Sequence, residues 1–158
     1  MGMKKKTIRW IVSLLALLAW MFLIYGMSAK TGEESAGLSY QLAKWFYRLP
    51  LLRQVIGFDA FHLLVRKAAH FTEYGILGLL TLNFVSACGI ALHRLIYWGT
   101  VLFCGVYAAL DEYHQSFVEG RGSSPVDVCI DTTGAIVFLL IFYYLRNLSC
   151  NASAHKVS

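Results

Sequence analysis

The chain has 158 residues, 58% of them hydrophobic and 15% charged, with 14 Lys and Arg against nine Asp and Glu for a formal charge of +5. A soluble domain carries about a quarter charged residues and disorder needs low hydrophobicity, so the composition reads as a one-domain, all-α integral membrane protein. Nucleic-acid binding is not expected either: the bases are scattered, and the one dense run, Lys4-Lys5-Lys6 with Arg9, directly precedes an apolar segment.

Residues 8–26, IRWIVSLLALLAWMFLIYG, give a first span of about the 20 residues that a bilayer core requires. The run is too long for a signal-peptide core and is followed by a poor cleavage site, so it reads as a retained helix. In the connector 27–67, Leu38, Leu42, Trp45 or Phe46, and Leu49 recur at helical spacing, opposite Gln41, Lys44 and Arg48. This pattern predicts an amphipathic helix in the headgroup plane, ended by Pro50, then a second short helix at about 58–64. Span two is expected at about 68–92, a tight His93-Arg94 turn follows, and span three covers about 95–115. The loop VEGRGSSP leads to span four at about 126–145, and residues 151–158 form a short polar tail behind a single domain of residues 1–150. Cys88, Cys104, Cys129 and Cys150 lie in or beside apolar segments without metal or disulfide spacing and read as small buried hydrophobes.

The expectation is thus a compact four-transmembrane-helix bundle with an interfacial helix in its first outer loop. Basic residues divide evenly, seven inside (Lys4, Lys5, Lys6, Arg9, Arg94, Arg146, Lys156) and seven outside (Lys30, Lys44, Arg48, Arg53, Arg66, Lys67, Arg121). Orientation therefore rests on the N-terminal cluster and the short 93–94 turn, which place both termini in the cytoplasm. In either orientation the polar groups of spans two, three and four share one membrane face.

Those groups are patterned. Arg66, His70 and Glu73 fall at i, i+4 and i+7 in span two; Asp111, His114 and Gln115 share a face of span three beside Glu112; Asp127, Asp131 and Gly134 repeat the spacing in span four. A charged side chain facing lipid at mid-membrane costs about 2.5–3.5 kcal/mol on insertion scales, so the three stripes are expected to converge on an inward chamber open to the outer face. Gly75, Gly78 and Gly134 would let the backbones approach there.

Each residue also has an ordinary reading. Arg66 and Lys67 can snorkel to headgroups, His70 and His114 can be satisfied core histidines, and Glu112 and Glu119 can be solvated. Tyr74 and Tyr113 can be interface aromatics, Asp127 a helix cap, and Ser123 and Ser124 turn residues. The functional reading gives proton transfer to His70, Glu73, Asp111, His114 and Asp131, and headgroup binding to Arg66, Glu112, Gln115, Arg121 and Asp127. His with carboxylates also admits a divalent metal, but HxxE and DExHQ lack the spacing of a helix-borne zinc site, and the cofactor is left open. The two arginines suit an anionic lipid or lipid-linked precursor as ligand.

The motifs SAKTGEESAGLS, RKAAHFTEYGILGLL and YAALDEYHQSFVEGRGSSPVDVCIDTTG resemble those of the VanZ-like family, departing from its usual pattern at Glu119, where Pro is common. The resemblance implies a bacterial multi-pass protein of the cell envelope. The family takes its name from a member associated with resistance to the glycopeptide teicoplanin; membership alone does not imply that a chain confers resistance. Arg66, His70, Glu73, Asp111, Glu112, His114, Gln115, Gly120, Arg121, Asp127, Asp131 and Gly134 match its signature positions. The first expectation is an envelope protein that binds or modifies an anionic lipid or a lipid-linked peptidoglycan precursor at the outer leaflet. The rival expectation is a non-enzymatic accessory protein whose polar network is structural and whose outer loop binds a partner. A transport pathway is disfavoured, because the inner halves of spans two to four hold only Asn83, Ser86 and a few Thr as polar groups.

Overall fold

Six helices follow one another in the computed structural model, which describes residues 3–155; Lys156 and the side chains of Lys4 and Cys150 lie outside the described residues. Helix α1 is Met3–Ser28, α2 Gly32–Phe46, α3 Pro50–Val55, α4 Phe58–Ala87, α5 Arg94–Gln115 and α6 Pro125–His155. No strand occurs among the described residues.

Local chemistry sets these boundaries. Thr31 caps α2 through a reciprocal box, its Oγ1 accepting from Glu34 N at 3.2 Å while Glu34 Oε2 accepts from Thr31 N at 3.1 Å. Pro50 opens α3 at its first turn, where a missing N–H costs nothing; it begins a helix, and α2 has already stopped at Phe46. The expected break between a short 58–64 helix and span two is absent, because α4 runs without interruption from Phe58. It also stops earlier than expected, at Ala87. Gly89 takes a φ of +86° that only glycine adopts readily, and residues 88–93 form the turn that had been assigned to His93-Arg94 alone. Pro125 opens α6, and the helix continues past residue 145 to His155, so the first part of the expected tail is helical.

Side-chain contacts fix the direction of each helix. Ser13 accepts from Asn83 at 3.1 Å and Trp20 Nε1 donates to Glu73 O at 3.0 Å, so α1 and α4 are antiparallel. Tyr107 donates to Met21 O at 2.8 Å while Ser28 lies beside His114, which makes α1 and α5 parallel. Lys67 meets Asp127, His70 meets Asp131 and Gly75 meets Phe138, so α4 and α6 are parallel too. The four long helices therefore alternate up and down, with α4 against α1, α2, α5 and α6 at the centre. Tyr74, Leu77, Cys104, Ala108 and Ala135 are fully buried there, packed with Leu17 and Ile24 of α1.

Outward faces are apolar. Phe22 on α1 is 75% exposed, and Leu95 and Leu102 on α5 are 75% and 69% exposed. Lys5–Ser28 and Pro125–Ser149 are long and apolar enough to cross a membrane; α4 and α5, which carry most of the ionisable residues of the core, do not meet that measure.

The tightest approach is between α4 and α6. A Cβ on Gly134 would collide with the backbone carbonyl of Phe71, and one on Gly75 would come within 2.6 Å of the Phe138 ring. Backbone cannot yield as a side chain can, so Gly134→Leu is expected to cost at least the 1–3 kcal/mol typical of overpacking and to abolish monodisperse protein in detergent. Gly99→Leu, which enters open space, should leave the thermal midpoint unchanged. A wild-type midpoint for Gly134→Leu would mean that the two helices are not in contact there.

Candidate functional site

Three successive turns of the α4–α6 interface change from polar to closely packed. Nearest the helix N-termini Lys67 forms an ion pair with Asp127, both partly exposed. One turn deeper His70 Nδ1 lies 3.6 Å from Asp131 Oδ1, slightly beyond hydrogen-bond range. A further turn on, Gly134 abuts Phe71. Asp131 is completely buried (0% exposed), and neither of its carboxylate oxygens has a hydrogen-bond partner among the described residues. Asp127 is not the cap of α6: its backbone N–H donates to Ser124 O, and its side chain is spent on Lys67.

Helix α5 brings a second set. Asp111 accepts from Gln115 Nε2 at 3.0 Å, both buried. Glu112, far from being solvated, is buried and accepts from Ser124 N at 2.7 Å, tying the end of α5 to the start of α6. His114 meets Ser28 Oγ at 3.3 Å and the Tyr25 ring at 4.8 Å. Tyr74 is a core residue and not an interface aromatic.

Arg121 comes from the loop between α5 and α6. Its Nη1 donates to Ser28 O at 2.9 Å and Met27 O at 3.3 Å, and its Nη2 to Ser35 Oγ at 2.9 Å. The last carbonyls of a helix have no partner within it, so this guanidinium closes the C-terminus of α1 and pins α2 beside it. Burial, then the neighbouring charge of Arg66, lowers its pKa; Asp111, Glu112 and Glu73 oppose that shift. Gly120, at a φ of +72°, lets the loop reach this position, and Glu119 O accepts from Gly32 N at 3.0 Å.

Between these groups lies a cavity of about 160 Å³. Its charged and amide lining, Arg66, His70, Glu73, Asp111, Gln115 and Arg121, comes from α4, α5 and the loop after α5, alongside Val65 and Ala69 of α4; α1 and α2 supply Ile24, Met27, Leu38 and Leu42 with Ser28, Ser35 and Ser39. The guanidinium of Arg66 has no hydrogen bond or ion pair among the described residues. Nδ1 of His70 and Nε of Arg121 are likewise buried without a hydrogen-bond partner.

Of the residues singled out in the sequence, six line the cavity and four do not. Asp131 sits behind His70, Asp127 holds Lys67, Glu112 braces a loop and His114 faces α1. The contribution of α1 and α2 was not foreseen. Ser35 and Ser39, at i and i+4 on α2, were a readable signal; Ser28 at the end of an apolar helix was not. Among the described residues no three His, Cys, Asp or Glu side chains are grouped closely enough to hold a metal ion.

The arrangement defines a class: an all-helical protein of membrane-helix character, with an acid-rich polar cluster buried at one end of four alternating helices. Residues 13–146 match the VanZ/LLP1 family model, and the chain belongs to that family. Comparison with curated proteins and with solved structures gave no match.

Hydrogen bonds to a charged group contribute about 1.5–3 kcal/mol. Arg121→Ala is therefore expected to lower stability by about that amount in a detergent unfolding titration, with Arg121→Lys intermediate. Unchanged unfolding in the Ala variant would show that the loop is not braced through this residue.

Proposed function

We propose that α1, α4, α5 and α6 each span a bacterial cell membrane, with both termini in the cytoplasm and α2 lying along the outer headgroup plane. In this reading the cavity receives the headgroup of an anionic lipid or lipid-linked cell-wall intermediate, to hold it or to modify it. Altered susceptibility to the glycopeptide teicoplanin is its cellular readout. The alternating helix directions support four spans, as do the apolar outward faces of α1 and α5, since surface of that extent is seldom left to water.

The carrying observation is Arg66, a half-buried cation without a partner, aimed into a cavity lined by both polar and apolar side chains. A phosphate or carboxylate received bidentately would supply the partner that this guanidinium lacks. A volume of about 160 Å³ is below the roughly 300–1,000 Å³ of pockets that enclose a whole ligand. A headgroup fits, with its tail running out along Leu38 and Leu42, both half exposed. His70, with Asp131 behind its Nδ1, is a general acid–base arrangement beside the bound group, and Glu73 and Asp111 are further proton acceptors on the same wall.

The second reading, a non-enzymatic accessory protein, is favoured by the structural use of Arg121, Glu112 and the Lys67–Asp127 pair. The two separate under substitution. With a specific ligand, Arg66→Gln should remove the one anionic lipid held by the cavity from those that native mass spectrometry counts on the purified protein. The same change should abolish any teicoplanin phenotype in cells while membrane abundance stays constant. If Arg66→Gln retains lipid like wild type, and Asp131→Asn lowers only yield and stability, the polar network is structural.

A further inference from the structure

A second basic site lies outside the cavity, on the hairpin made by α2 and α3. Lys44, Arg48 and Arg53 surround an open hollow of about 290 Å³ floored by Tyr40, Tyr47 and Phe58. The floor is rigid: Phe58 meets Tyr40 and Tyr47 edge-on at 5.1 Å each, and Tyr47 donates its hydroxyl to Ile56 O at 2.8 Å. Arg53 Nε donates to Tyr47 O at 2.9 Å, which aims its two terminal amino groups and leaves them free. None of the three cations forms an ion pair among the described residues, and no carboxylate lines the hollow. It shares no residue with the cavity.

The charges need an explanation. In the orientation proposed above, on which this inference rests, Lys44, Arg48 and Arg53 lie on the outer side, where short loops are usually poor in Lys and Arg. Three clustered cations without acids repel one another unless an anion sits among them. The same hairpin exposes Trp45 (61%), Leu51 (71%) and Val55 (77%), large apolar groups that no other part of the protein covers. Cations beside uncovered apolar side chains are the signature of an interfacial segment that binds anionic lipid through both parts of the molecule.

We propose that the α2–α3 hairpin holds the phosphate headgroup of an anionic phospholipid of the outer leaflet between Lys44, Arg48 and Arg53, over the Tyr40–Tyr47–Phe58 floor. The acyl chains lie against Leu51 and Val55. The exposed apolar residues favour a phospholipid over free phosphate, which would use the cations alone. The bound lipid fixes α2, and with it the apolar wall of the cavity formed by Leu38 and Leu42.

The test uses the full chain in nanodiscs of phosphatidylglycerol or phosphatidylcholine, with lipids retained after extraction counted by native mass spectrometry. Wild type should retain phosphatidylglycerol preferentially, millimolar inorganic phosphate should not displace it, and the combined Lys44→Gln, Arg48→Gln, Arg53→Gln variant should retain at least tenfold less at this site. Arg66→Gln should keep it. Equal retention by wild type and the triple variant would overturn the proposal, as would equal retention of the two lipids or displacement by inorganic phosphate. Loss in Arg66→Gln but not in the triple variant would also overturn it while leaving the cavity reading intact. Should the triple variant fail to fold, Arg48→Gln alone, on an exposed side chain without contacts, should still lose lipid severalfold; wild-type retention there would overturn the proposal.

Discussion

The contact of Gly134 with the Phe71 carbonyl leaves no room for a side chain between α4 and α6, and the rest of the structure depends on it. Parallel helices this close keep their facing residues in step for several turns. Toward the N-terminal ends, that register sets Asp131 beside His70 and Asp127 beside Lys67. In the other direction it sets Gly75 under Phe138 and Gly78 against Leu139. Wider spacing at one glycine would loosen both contacts, because each carboxylate has a short side chain with little reach.

Helix α4 pays for its central position in apolarity. It touches all three other long helices and α2, so its residues need not be apolar to be sheltered. Arg66, His70 and Glu73 are tolerated because neighbours cover them, whereas α1 and α6 present much of their surface outward and each carries a long apolar window. This division explains why only those two helices look like spans by composition.

Much of this was legible in residue spacing. The i, i+4 and i+7 pattern of Arg66, His70 and Glu73 placed one face of α4, and six of the ten chosen residues do line one cavity. Spacing says which residues share a face; it does not say which neighbour that face meets. His114 and Asp111 are less than one turn apart on α5, yet Asp111 lines the cavity and His114 does not, packing instead near the Tyr25 ring of α1. Helix α2 was visible as an amphipathic segment, but its docking over the cavity depends on Arg121 reaching Ser35, across 86 positions of sequence. The continuity of α4 was missed because the change from amphipathic to apolar near Ala68 looks like a boundary. It is instead part of one continuous helix whose buried stretch begins further on, at Tyr74.

The polar residues divide by whether the protein itself satisfies them. Arg121, Glu112, Gln115, Lys67 and Asp127 have partners within the chain, and each joins two segments or one turn to the next. Arg66 has no ion-pair partner among the described residues, and the buried carboxylate of Asp131 has no hydrogen-bond partner there. A network selected only to hold helices together would gain by pairing the cation with the carboxylate, since each unpaired group in the interior carries its full desolvation cost. Arg66 lines the cavity and Asp131 does not, and no ion pair joins the two. Such separation is wasteful as architecture. It is what a site requires if the cation is to meet an anion from outside while the buried acid stays behind the histidine.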